Sequence, residues 1–225
     1  MNYLEVKNEL LEQSELADVV LSREITSKIP QSMLGVMREL SNPVARLREI
    51  LQGKEMSDLI KAGYITIGMI KPRLDRHIDR HIDLEKVEVD FPEDDAKIVN
   101  GIMNLIDSPL EVLATVSMRM SPEMVEEFYV SSKPNMQNKE PDGKTTWQHF
   151  HELMASGPVT FMVIGSPNGN AIDLWRQKIG RSWDVTKSQP GQLRNLMSSN
   201  ANNGFHGSDK IQAVIDELNF VTMHM

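Results

Sequence analysis

The chain has 225 residues, no cysteine and a formal net charge of -8. That length allows one ample domain with an extension, or two small domains. The missing cysteines exclude disulfides, a thiol nucleophile and Cys-ligated metals, and the acidic balance argues against a general nucleic-acid surface while leaving room for a local cluster of Lys and Arg around an anionic ligand.

From the N-terminus, residues 1 to about 60 read as helices. Leu4, Leu10, Leu11 and Leu16 fall at roughly helical spacing, and Met33, Leu34, Met37, Leu40, Val44, Leu47 and Leu51 repeat the pattern. This stretch is either a regulatory or oligomerising arm or extra helical packing on the main domain, and we adopt the second reading. The pattern changes at Tyr64. The apolar, β-branched run Tyr64–Ile70, ended by Lys71-Pro72, reads as a buried strand. Ile98, Ile102 and Leu105 return at helical spacing from Asp94 to Ile106, and Glu111–Met120 is a second strand. Ser121-Pro122-Glu123 then starts a helix, with Ser as cap and Pro at the first helical position. A polar loop over about 131–145 precedes a helix at Trp147–Ala155, a strand at Val159–Ile164 and a helix at Asn168–Ile179. A short fourth strand is expected just before His206, and Asp209–Leu218 closes the chain as a helix. Strands alternating with helices predict an α/β sandwich of the split βαβ or ferredoxin-like kind, with a helical N-terminal extension.

Arg76-His77-Ile78-Asp79 is repeated at once as Arg80-His81-Ile82-Asp83. On a helix His77 and His81 share a face, as zinc ligands can, but no third ligand stands nearby in a fixed motif, and the same spacing makes a solvated face. His149 and His151 read as structural. No apolar run approaches the roughly 20 residues that a membrane span needs. The opening Met1-Asn2-Tyr3-Leu4-Glu5 lacks the features of a signal peptide, so a cytoplasmic location is expected.

The run Asn203-Gly204-Phe205-His206-Gly207-Ser208-Asp209 carries the chemistry. A histidine beside glycine has an open backbone around it, so a phosphate can approach the ring. Ser208 and Asp209 suit a helix start, whose amide dipoles favour negative charge. An imidazole held there can attack a phosphoryl group. Phosphoryl transfer also needs cations, and Lys71, Arg176, Arg181 and Arg194 stand near predicted element ends. No G-x-x-x-x-G-K-[ST], strand-linked G-x-G-x-x-G or G-x-S-x-G run is present.

Together these residues resemble the nucleoside diphosphate kinase family. Ile67-Gly68-Met69-Ile70-Lys71-Pro72 is similar to its first strand, and Ser156-Gly157-Pro158-Val159 to its Ser-Gly-Pro-Val strand opening. Pro190-Gly191-Gln192-Leu193-Arg194 is similar to its Pro-Gly-Thr-Ile-Arg, and the histidine run to its Asn-x-x-His-Gly-Ser-Asp signature, with Glu217 where that family places a glutamate. The ordered match covers about residues 64–221. It implies a ferredoxin-like sandwich with a four-stranded antiparallel sheet over 61–225, behind the helical extension of 1–60.

The resemblance further implies a phosphotransferase that moves the γ-phosphate of a nucleoside triphosphate to a nucleoside diphosphate through phosphohistidine at His206, in ping-pong fashion. Glu217 would orient the ring. Lys71, Tyr129, Arg176, Ser182, Arg194, Asn203 and Ser208 would hold phosphates, sugar hydroxyls or the histidine. Magnesium would enter on the nucleotide phosphates, with no metal site of the protein's own. The implied partners are nucleoside di- and triphosphates and further copies of the chain, as a hexamer or tetramer, with no membrane and no stable nucleic-acid binding. The family's base-stacking aromatic falls on Thr146. Trp147, next to it, is the candidate substitute, although a one-residue shift turns a helical side chain by about 100°. Ser182 replaces a threonine and Asp184 a loop proline. Residues about 77–93 and the 131–145 loop are expansions bordering the nucleotide cleft. These departures leave an alternative, a nucleotide-binding or scaffold protein with weak or lost transfer.

Overall fold

The computed structural model describes residues 2–21, 44–72, 106, 109–180, 187–197 and 203–225. The histidine repeat at 77–83, the expansion at 77–93, the helix expected from Asp94, and Arg181, Ser182 and Asp184 lie outside the described residues.

Four strands form one sheet: β1 (Ile65–Ile70), β2 (Glu111–Arg119), β3 (Pro158–Gly165) and β4 (Phe205–Gly207), in the order β2-β3-β1-β4 with every pairing antiparallel. This is the expected α/β sandwich with a four-stranded antiparallel sheet and extra N-terminal helices. The two central strands are buried on both sides, and their period-2 alternation sorts the core. Ile65, Ile67 and Met69 of β1 and Val159, Phe161 and Val163 of β3 enter one cluster. Ile70, Met162 and Ile164 enter the other, with Trp175, Ile179 and Phe205. A strand flanked by helices on both faces reads as a continuous apolar run, which is why Ile65–Ile70 shows no polar alternation.

The N-terminal helices are α1 (Tyr3–Leu21), α2 (44–52) and α3 (Lys54–Lys61). Val6, Leu10, Leu47, Leu51, Met56 and Ile60 are buried in the first cluster with β1 and β3. At about 1.5–3 kcal/mol for each buried aliphatic side chain, this is packing on the main fold. Lys7 Nζ lies 2.7 Å from Glu111 Oε2 of β2, and Ser14 Oγ accepts from the Thr115 amide at 3.3 Å. β2 is an outer strand of the sheet, and α1 lies against it, satisfying an outward amide that an uncovered edge would leave free.

The remaining helices are α4 (Pro122–Phe128), α5 (Thr146–Ala155), α6 (Ala171–Ile179), α7 (Leu193–Met197) and α8 (Ile211–His224). Ser121 caps α4 with Pro122 at its first turn, as the sequence predicts; its hydroxyl accepts from Met124 N at 3.3 Å. Thr145 and Gln148 close a reciprocal box at the start of α5. Within the 131–145 loop the structure adds a 3₁₀ turn at Lys133–Met136 and a bridge between Lys139 and Thr145.

Two boundaries differ from expectation. His206 lies within the fourth strand and not after it. α8 starts at Ile211 with Lys210 as its cap, and no side chain caps it. Ser208 is drawn away from the capping position because its amide bonds to Ile67 O at 3.2 Å and its hydroxyl faces Ile67 O and Glu217, extending the β1–β4 ladder by one residue.

Candidate active site

Register decides which way the histidine looks. His206 pairs with Met69, a residue of the α8-side cluster, so its ring points toward that face. Phe205 and Gly207 point to the other side. There the indole of Trp175 on α6 packs against Gly68 and Gly207, which are cross-strand partners. A Cβ on Gly207 would come within 2.7 Å of the Trp175 ring, and one on Gly68 within 2.8 Å. The glycine after His206 therefore admits an indole, a role that differs from the open approach expected from sequence. Trp175 Nε1 donates to His206 O at 3.1 Å and Arg176 Nη1 donates to Gly207 O at 3.2 Å, so α6 holds the strand from behind.

On the opposite face α8 carries Glu217 to the histidine. His206 Nε2 lies 2.8 Å from Glu217 Oε1, and Ser208 Oγ donates to Glu217 Oε2 at 2.6 Å. Both carboxylate oxygens are engaged, and the two side chains are 22% and 12% exposed. The chain brings residues 206 and 217 together by ending the strand, turning at 208–210 and sending α8 back across the sheet, a juxtaposition that helical rise alone could not supply. A carboxylate only accepts, so the proton of a neutral ring sits on Nε2 and the lone pair on Nδ1. Phe128 and Tyr129 set edges against the ring, with centroids 5.4 and 5.9 Å away.

Cations stand close by. Lys71 continues from β1; its amide bonds to Gly204 O at 2.9 Å and its ammonium donates to Asn203 Oδ1 at 2.5 Å. The side chain is buried, and burial, with a smaller contribution from Arg194, pushes its pKa from 10.5 down to about 7. Arg194 on α7 donates to Gly180 O at 2.7 Å and Phe205 O at 2.8 Å. Its burial, and then the charge of Arg176, bring its pKa down to about 10. Tyr129 is buried beneath Met69, and burial and then Glu217 push its hydroxyl above the ordinary range. Buried cations gathered at one place have a field that favours an anionic ligand.

Of the residues singled out in sequence, the fold gathers Lys71, Tyr129, Arg176, Arg194, Asn203, His206, Ser208 and Glu217 around β4. Ser208 is buried and directed at Glu217. Trp147 belongs to the core, with His151 5.7 Å away and Lys133 Nζ 5.3 Å over its ring. Thr146 Oγ1 donates to Glu140 Oε1 at 2.8 Å and lies 3.3 Å from Asn138 O. His149 and His151 are surface groups, near Asp142 and Pro122 O respectively. Sequence reading missed Phe128, Phe150 and Trp175. The signal for Trp175 was a glycine within each of two strands, which marks a close approach. Among the described residues no group of three or more His, Asp or Glu could hold a metal, and no helix is long and apolar enough to cross a membrane.

A family model described as nucleoside diphosphate kinase matches residues 95–224. β1 and Lys71 precede that match, yet β1 pairs with both β3 and β4 inside it. A nucleoside diphosphate kinase of Psychromonas ingrahamii is 30% identical over 112 residues, 49% of this chain and 69% of that protein. One of Ignicoccus hospitalis is 30% identical over 123 residues, 54% of this chain and 76% of that protein. Among solved structures, the Aquifex aeolicus nucleoside diphosphate kinase aligns with a TM-score of 0.48 and 24% identity, covering 70% of this chain and 94% of that one. With more than half of its length matched, and with that match including His206 and Glu217, this chain belongs to the nucleoside diphosphate kinase family.

Proposed function

We propose that the protein is a phosphotransferase that moves the γ-phosphate of a nucleoside triphosphate to a nucleoside diphosphate through phosphohistidine at His206. The observation that carries this reading is the Glu217 carboxylate, bound on one oxygen by His206 Nε2 and on the other by Ser208. With Nε2 protonated, the Nδ1 lone pair attacks the γ-phosphorus. The P–N bond forms as the bond to the bridging β-phosphate oxygen breaks, and the diphosphate leaves with that electron pair. The ring then carries positive charge, which the carboxylate at 2.8 Å stabilises without moving. In the second half-reaction a terminal phosphate oxygen of another diphosphate attacks, the P–N bond breaks, and the neutral ring returns.

Magnesium belongs to the substrate in this account. Carried in with the nucleotide, it would withdraw charge from the phosphates, and the protein's part is cationic. Lys71 and Arg194 stand buried beside His206, Lys71 with an amide oxygen as its hydrogen-bond partner. Phosphate arriving beside Lys71 raises its pKa again, so binding above pH 7 takes up a proton.

Trp147 and Thr146 favour a second reading, a nucleotide-binding protein with weak transfer. The one is buried under Lys133 and the other is tied to the 138–140 loop, so neither presents an aromatic face to a base. Incubation with γ-labelled ATP and magnesium separates the two. The kinase reading expects acid-labile, base-stable label that passes to added GDP. Label that stays on the protein supports the second reading, and no label on the wild type removes the first.

A further inference from the structure

Lys71 is a buried cation, and among the described residues the contacts that fix its ammonium are an amide oxygen and an aromatic face. Asn203 Oδ1 accepts from it, and its Nζ lies 5.0 Å from the centroid of the Phe150 ring. The ring is itself held. Tyr129 stands edge-on to it at 4.6 Å and 85°, and Trp147, three residues earlier on α5, packs at 6.0 Å. Phe150 is thus one member of an aromatic wall from α4 and α5 facing the end of β1.

We propose that Phe150 is a positioning residue for Lys71, its π-face holding the ammonium where an incoming phosphate meets it. This rests on the phosphotransfer reading above. The choice of partner has a physical logic. A carboxylate would neutralise the lysine and compete with phosphate for it. A π-face attracts the ammonium through its quadrupole and brings no net charge, so the cation keeps its full field for the ligand. The ring, with Asn203 Oδ1, also offsets part of the cost of burying the charge, and Arg194 adds to that cost. Arg194 from α7 opposes the ammonium directly. Arg176 from α6 acts on Arg194, and Glu217 from α8 acts on Tyr129 of α4, both at one remove from Lys71. His206 of β4 is paired with Glu217.

The test is a ¹⁵N-lysine NMR titration of the full chain without nucleotide, with the Lys71 signal assigned by its loss in Lys71→Met. Removing the π-face in Phe150→Leu lowers the Lys71 midpoint by roughly half a pH unit, while Phe150→Tyr keeps it. Pentafluorophenylalanine at position 150 keeps the shape and inverts the quadrupole, so it also lowers the midpoint, and it serves if the leucine variant does not fold. A midpoint that stays or rises in the ring-altered proteins overturns the inference. In parallel, half-saturation of His206 labelling by ATP at pH 8 requires several-fold more nucleotide in Phe150→Leu and returns to the wild-type value in Phe150→Tyr. If no protein takes label but the midpoints move as stated, the phosphotransfer reading fails and the role toward Lys71 stands. If label appears and the midpoints do not move, only the role of Phe150 falls.

Discussion

Replacing Lys71 by methionine exchanges a buried charge for a buried thioether of similar length, and the structure fixes both the size and the pH dependence of the effect. In the unfolded chain this lysine holds its proton up to 10.5, and in the folded protein only to about 7. Burying its charged form therefore costs roughly 5 kcal/mol, as an upper figure. The variant leaves Asn203 Oδ1 without its donor, which takes back about 1–2 kcal/mol. Lys71→Met should accordingly be more stable than the wild type by about 3 kcal/mol at pH 6. Between pH 7 and 10.5 the unfolded wild-type chain binds more protons than the folded one, so wild-type stability rises with pH across that window. The advantage of the variant shrinks over the same range. Urea denaturation of both proteins at pH 6 and pH 9 reads this directly, and labelling with γ-labelled ATP should fall to background in the variant. A variant less stable than the wild type at pH 6, or a stability difference equal at the two pH values, would refute the reasoning.

Three further outcomes follow from particular contacts. Gly207→Ala forces a methyl group to within 2.7 Å of Trp175, so it should lose about 1–3 kcal/mol in urea denaturation and slow labelling of His206, whose carbonyl the same indole holds. Ser208→Ala removes the hydroxyl from Glu217 Oε2 and should lower the labelling rate roughly tenfold with little change in nucleotide half-saturation; a change in half-saturation alone would place Ser208 on the nucleotide. Because Trp147 is buried under Lys133, the fluorescence change on adding nucleotide should be the same in Trp147→Phe as in the wild type, and its loss would make Trp147 the base platform.

Much of the fold is legible in the sequence because its signals are local. The β-branched run at Ile65–Ile70 and the cap Ser121-Pro122 announce themselves through residues a few positions apart, and the structure places a strand and a helix there. The histidine run was visible as a motif, but its geometry was not. The contact between His206 and Glu217 depends on the pairing of Met69 with His206 and on the path of α8, both set by residues more than a hundred positions away. The role of Gly207 is not legible locally either, since the indole that needs it comes from another element, at position 175. Trp147 was singled out for its aromaticity, and only burial shows that its ring faces the core. Phe150 carried no signal at all until the fold set it beneath Lys71.

In the proposed cycle the imidazole held by Glu217 carries the phosphate. The most direct test is phosphoamino-acid analysis of the protein after brief incubation with γ-labelled ATP and magnesium, beside His206→Ala. Acid-labile, base-stable label is expected on the Nδ1 of His206, absent from the alanine variant and discharged by added GDP. Label that persists in His206→Ala, or a wild-type protein that takes none, would contradict it.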